Sequence, residues 1–158
     1  MLAIGRPGSP GLEREQGAFV TLRKKGELRG CIGQMTAAGP LRRVVGAMAF
    51  AAAFEDPRFS RLQANELKDV EVEISVLTPF REVASAGAIL PGRDGVLLQK
   101  GRSSAVFLPQ VATEEGWDRN ELLDNLCVKA GLSRGCWQSG AKLSTFQAEV
   151  FKESEFRR

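Results

Sequence analysis

The sequence predicts an α+β fold, a mainly antiparallel sheet with flanking helices, and three observations carry that reading. Two pairs of short alternating runs, 18–23 with 28–33 and 96–100 with 104–108, are joined by tight glycine-containing turns, the pattern of β-hairpins. Each hairpin is followed by a segment whose apolar residues recur at helical spacing. A further strand pattern closes each set, so that hairpin, helix, strand runs over 18–77 and again over 96–151. The halves are therefore expected to be pseudo-repeats of topology, not of sequence, forming two subdomains with a cleft where they meet.

Taken in order, residues 1–16 carry Gly5, Pro7, Gly8, Pro10 and Gly11, a composition that resists regular structure and predicts a mobile arm. Residues 17–158 are expected to form one domain. In the first hairpin, Lys24-Lys25-Gly26-Glu27 supplies the turn, with glycine for positive φ. Pro40 stands where a first helical residue tolerates it, and Leu41, Val44, Val45, Met48, Ala49 and Ala52 form the buried stripe of the helix it opens. Proline disfavours helical geometry in the preceding residue, so this helix ends before Asp56-Pro57. A short helical turn is expected near 65–68. Val70, Val72, Ile74 and Val76 then alternate with Glu71, Glu73, Ser75 and Leu77 as a strand closed by Pro79.

Residues 80–90 predict a connector with a little helix, and 91–95 a turn into the second hairpin. Asp118 and Glu121 have capping-box spacing ahead of a helix bearing Leu122, Leu123, Leu126, Cys127 and Ala130, which Gly131 stops. Cys127 is thereby expected in the core. The last element, 143–151, is expected to be one strand burying Phe146, Ala148 and Val150.

The chain has 158 residues, 43% hydrophobic and 26% charged, which suits a packed globular protein. Its 22 basic and 19 acidic residues leave a net charge of +3, with Arg23-Lys24-Lys25 and Arg42-Arg43 as the densest basic clusters. Scattered charge of this size argues against a nucleic-acid partner. No run approaches the roughly 18 apolar residues of a membrane span, nor does 1–16 hold a signal sequence, so a soluble, cytoplasmic protein with no membrane partner is expected. There are no histidines and no tyrosines, which excludes His-based triads, the Cys-His pair and imidazole metal ligation. No metal site or cofactor is expected. The cysteines Cys31, Cys127 and Cys136 have neither CxxC nor zinc-ligand spacing and predict free thiols in a reducing cytosol.

Chemistry then centres on Leu28-Arg29-Gly30-Cys31-Ile32-Gly33. In an extended strand Arg29 and Cys31 share one face, and a cation beside a thiol favours the thiolate. Gly30 and Gly33 let the backbone bend or another group come close. Glu73 is the leading acid/base candidate and Ser75 shares its face. Phe54, Asp56 and Arg58 lie in a loop of the kind that carries function. Superposing the halves sets Cys31-Ile32-Gly33 near Leu108-Pro109-Gln110, both facing one groove, with Gln110 as a polar contact. Cys31 is equally readable as an ordinary buried strand cysteine.

The hexapeptide, preceded by Gly17-Ala18-Phe19-Val20-Thr21-Leu22, resembles the AMMECR domain family, known in bacteria as AmmeMemoRadiSam system protein A. Ala52-Ala53-Phe54-Glu55-Asp56-Pro57-Arg58-Phe59, Glu73-Ile74-Ser75-Val76-Leu77, Leu108-Pro109-Gln110-Val111-Ala112, Gly116-Trp117-Asp118 and Cys127-Val128-Lys129-Ala130-Gly131-Leu132 match its pattern in order. The resemblance runs from about Gly17 to Phe151. It implies an α+β fold of two subdomains, with an active site suspected around Cys31, Arg29, Gly30, Ile32 and Gly33. Association with a Memo-like protein, related to extradiol dioxygenases, and with a radical SAM protein is implied as well. No assigned reaction comes with it. The chain departs from the pattern in its arm, where family members carry a helical segment, and at Asp94, where many carry histidine. Two functions stay open: an accessory enzyme or small-molecule-binding domain using Cys31, Arg29 and Glu73 in a cleft, and a non-catalytic adaptor with a structural Cys31.

Overall fold

The computed structural model describes residues 9–157. The chain divides into two compact units: unit one runs up to Leu77 and resumes at Glu149, and unit two is Thr78–Ala148.

Unit one is a sheet of order β2-β1-β3-β8, built from β1 (Ala18–Lys24), β2 (Glu27–Gln34), β3 (Val70–Leu77) and β8 (Ala148–Lys152). β1 pairs antiparallel with both β2 and β3. Lys25 and Gly26 form the two-residue turn, both at positive φ, as a turn matched to the right-handed twist of the strands requires. One face of β1 carries Ala18, Val20 and Leu22, all buried, under α1 (Leu41–Phe54). Val44 and Ala52 of the predicted stripe are buried there, with Val45, Met48 and Ala49 packed alongside. Pro40 is the residue before the helix, not its first turn, and the helix ends at Phe54, capped by Glu55, ahead of Pro57. The predicted short turn is a 3-10 turn, Ala64–Asp69, which Gln63 and Glu66 close as a capping box.

The arm expectation divides. Residues 1–8 lie outside the described residues, while 9–16 are fastened to the sheet and helix: Leu41 N–H donates to Arg14 C=O at 2.8 Å, Arg42 pairs with Glu13 at 2.6 Å, and the Gln16 amide donates to Leu77 C=O at 3.2 Å.

Unit two is a sheet of order β4-β7-β5-β6, from β4 (Arg81–Glu82), β5 (Gly95–Lys100), β6 (Ser103–Phe107) and β7 (Lys142–Phe146), with α2 (Pro109–Glu115) and α3 (Arg119–Lys129). Its core joins Val96, Leu98 and Leu143 of the sheet to Ala112, Leu122, Leu123 and Leu126 of the helices. Asp118 caps α3 as its spacing predicts, accepting the Glu121 N–H at 2.9 Å while Glu121 accepts the Asp118 N–H at 2.9 Å. Asp94 is fully buried and saturated: it accepts from Arg93, the Leu90 N–H and the Gln147 amide at 2.8–2.9 Å.

Four expectations are corrected. Cys127 is not a free core thiol, because it is joined to Cys136 in a disulfide, which leaves Cys31 as the free cysteine. The strand expected over 143–151 is two strands in different sheets, broken at Gln147, and Val150 is 41% exposed. The connector over 80–90 contains the short strand β4 as well as a 3-10 turn, Ala86–Ala88. Leu108-Pro109-Gln110 is the start of α2, so it does not correspond to the mid-strand Cys31-Ile32-Gly33. The pseudo-repeat is not established by this layout, since one α-helix serves unit one, two serve unit two, and β4 and β8 extend the two sheets differently.

Candidate functional site around Cys31

β2 is an edge strand, and an edge strand presents peptide groups with no neighbouring strand to satisfy them. At Cys31 the loop after α1 takes that place. Asp56 Oδ2 accepts the Cys31 N–H at 2.9 Å, and Arg58 Nη2 donates to the Cys31 C=O at 3.3 Å. The same two side chains hold each other, with Arg58 Nε and Nη2 donating to Asp56 at 3.1 and 2.8 Å. Asp56 also accepts the Arg58 N–H at 3.1 Å, the local turn that an Asp two residues ahead favours. Asp56 is only 4% exposed. The Arg58 guanidinium, with the Cys31 and Arg58 N–H groups, outweighs burial and holds the Asp56 carboxyl well below the usual carboxylate range. The carboxylate in turn pushes Arg58 up.

Residues directly opposite on antiparallel strands share a face. The register pairs Cys31 with Thr21 and Thr21 with Glu73, so the thiol, hydroxyl and carboxylate form one row across three strands. Thr21 Oγ1 donates to Cys31 Sγ at 3.3 Å. Glu73 faces Arg23 at 3.7 Å. In the next row Gly33, Phe19 and Ser75 are opposite one another, and Ser75 is buried. The Phe19 ring occupies the space a Gly33 side chain would need.

Gly30 and Ile32 point the other way. A Cβ on Gly30 would overlap the Ala52 carbonyl, so glycine there lets α1 lie directly on β2, and Ile32 packs against the core beneath the helix.

Arg29 stands at a bulge. Leu22 pairs with Gly30 and Arg23 with Leu28, which leaves Arg29 without a partner and interrupts the alternation that would set it beside Cys31. It turns instead to Glu66, which it grips at 3.1 and 3.0 Å while Lys24 adds a bond of 2.9 Å and Arg29 Nη1 reaches the Ser60 C=O at 2.9 Å. Arg29, then Lys24 and the Gln63 N–H, bring the Glu66 pKa down to about 2. The guanidinium at the Cys31 peptide is therefore Arg58's. Phe54 is an exposed ring near Phe50, at 5.0 Å between centroids, with Arg61 above it. Gln110 belongs to α2 of unit two. Among the described residues no cluster of three His, Cys, Asp or Glu could hold a metal ion, and no helix is long and apolar enough to cross a membrane.

Thr21 was not singled out by its sequence context. Counting back from the Lys25-Gly26 turn would set it opposite Cys31 only if the bulge were known.

The model of the AMMECR1 family matches residues 3–151. The chain belongs to the AMMECR1 family. A protein of Methanothermobacter thermautotrophicus is 44% identical over 147 residues, 89% of this chain and 77% of that one. A Saccharolobus solfataricus protein is 37% identical over 166 residues, 98% of this chain and 73% of that one. The crystal structure of the uncharacterized protein PH0010 from Pyrococcus horikoshii, at 37% identity, superposes with a TM-score of 0.87 over 96% of this chain and 80% of that one. The AMMECR1 fold thus has the antiparallel sheets and flanking helices expected of an α+β chain.

Proposed function

We propose that this AMMECR1 chain is a cytoplasmic accessory domain that binds a small molecule on the sheet face carrying Cys31, Thr21 and Glu73, with Cys31 as the reacting or anchoring thiol. The observation that carries the reading is the way Cys31 is held. Its peptide is clamped by Asp56 and Arg58, its sulfur accepts the Thr21 hydroxyl, and the residue is partly exposed on an edge strand. A thiol kept only to fill a core needs no such pre-organisation. Glu73 lies two strands away in the same row, roughly 10 Å between Cα atoms, a spacing that leaves room for a bound molecule and gives it an acid/base role. Gly33 and Ser75 border the row. Arg29 contributes by fixing the hairpin end through Glu66. The reading rests on unit one and needs neither Phe54 nor Gln110.

The test is native alkylation with iodoacetamide, in which the Cys31 sulfur–carbon bond forms as iodide leaves, followed by peptide mass spectrometry. Cys31 is expected to label in the folded protein, more slowly in Asp56→Ala, where the clamp is lost. Labelling only on unfolding would overturn the proposal in favour of the second reading, an adaptor with a structural Cys31. That reading draws on the exposed Phe50 and Phe54 of α1 as a docking patch. Association with a Memo-like protein and a radical SAM protein belongs to the same proposal. A tagged chain should retain both in a co-purification, and Cys31→Ser should leave an adaptor's capture intact. The cytoplasmic setting stands against the Cys127–Cys136 bridge, since disulfides are rare in most reducing cytosols. Thiol trapping at lysis decides it.

A further inference from the structure

Unit one has more apolar sheet face than its one α-helix covers. Four strands measure roughly 15 Å between the outer axes, whereas a helix with its side chains is about 10–12 Å across, and α1 packs on β1 and β2. On the uncovered side is a cavity of about 540 Å³, on the face opposite Cys31, bounded by α1, β3, β8 and residues 9–16. Its walls are Leu41, Val45, Ile74, Val76, Phe151 and, at the mouth, the 42%-exposed Leu12. That volume lies within the roughly 300–1,000 Å³ of small-molecule sites. The exposed Arg14 and the half-buried Arg42 also line it. Arg42 is engaged by Glu13, whereas among the described residues Arg14 is in no ion pair. Glu149 is the acid in the lining, on β8.

We propose that this cavity binds an amphiphilic monocarboxylate of the medium-chain fatty-acid class, its hydrocarbon chain along Val45, Ile74 and Val76 and its carboxylate at Arg14. An apolar trough rewards each methylene removed from water. A cation at its mouth, in no ion pair among the described residues, selects an anionic over a neutral head.

The experiment is calorimetric titration of the full chain with decanoate, decanol and butyrate. Decanoate is expected to bind saturably, decanol more weakly, and butyrate not at all. Arg14→Gln should weaken decanoate by about two- to fivefold, as loss of an exposed ionic contact does. Leu12→Asp, which sets an acid at the mouth on an exposed side chain, should weaken it further, and Val45→Phe, which fills the trough, should abolish it. Cys31→Ser should leave it unchanged, so this site and the Cys31 site fail independently. Absence of decanoate binding, or binding indifferent to both Arg14→Gln and Leu12→Asp, overturns the proposal. Equal affinity for decanol removes the carboxylate assignment. Binding that emerges only after deletion of residues 1–8 means that the chain's own N-terminus fills the cavity, and the proposal falls.

Discussion

Asp56 shows how much one buried carboxylate can organise. It satisfies the outward N–H of an edge strand, closes its own turn and fixes the guanidinium that satisfies the neighbouring C=O. Replacing it by alanine leaves the Cys31 N–H and Arg58 without their acceptor. We expect Asp56→Ala to cost on the order of 2–3 kcal/mol in urea unfolding, chiefly for the orphaned N–H, because Arg58 is more than half exposed and its ion pair counts for less. Asp56→Asn retains an acceptor and should lose about half as much. Equal losses would mean that charge, not the peptide bond to Cys31, is what Asp56 supplies. At this scale the sequence was readable in residue type but not in partnership. Asp56 and Arg58 could be singled out as loop residues, whereas Phe54, expected in the same loop, is the last residue of α1; alternation assigned Arg29 to the thiol, and nothing local in Leu28-Arg29-Gly30 announces the bulge that turns it to Glu66.

Elements were legible where a periodic pattern coincided with a stop signal. β3 runs Val70–Leu77 as its alternation predicts, and α1 and α3 end at the residues their Pro57 and Gly131 imply. α2 escaped because seven residues are too few to show a stripe, although Pro109 opens it and Gly116 closes it in the left-handed region. The break at Gln147 escaped because β7 and β8 continue one apolar pattern while joining different sheets. The close contact of α1 with β2 yields a sharp expectation. In Gly30→Ala the new Cβ meets backbone, not a yielding side chain, so helix or strand must shift, and a loss of roughly 2–3 kcal/mol is expected by chemical denaturation. A neutral result would mean that α1 is free to move off the strand. In the first turn Lys25 has φ 52, a conformation glycine and asparagine adopt more readily. Lys25→Asn should raise stability by up to about 1 kcal/mol, read as a higher urea midpoint at unchanged slope.

For the molecule as a whole, the two units respond to different conditions. Unit two alone holds a disulfide, between residues nine apart, and closing so short a loop constrains the unfolded chain by roughly 2–3 kcal/mol. Without reductant a denatured sample should titrate one thiol, Cys31, and after reduction three. Reduction should lower a melting transition of unit two by on the order of ten degrees, and an unchanged melt would show the bridge to be absent in solution. Acid acts on both units. Glu66 and Asp56 in unit one and Asp94 in unit two all have lowered folded pKa values. For Asp94, burial acts to raise the value but is outweighed by Arg93, the Leu90 N–H and the Gln147 amide. A group lowered on folding binds its proton more readily when unfolded, so its contribution is complete above its unfolded pKa and is lost as pH falls towards the folded one. For Glu66 that window runs from 4.5 down to about 2, and for the two aspartates it opens below 3.8. The thermal midpoint should therefore vary little with these groups above pH 5 and fall steeply below pH 4.5. Glu66→Gln should flatten the upper part of that fall and Asp94→Asn the lower part. A midpoint that stays level to pH 3, or that drops equally in both variants and the parent, would show that these carboxylates gain nothing from their partners on folding.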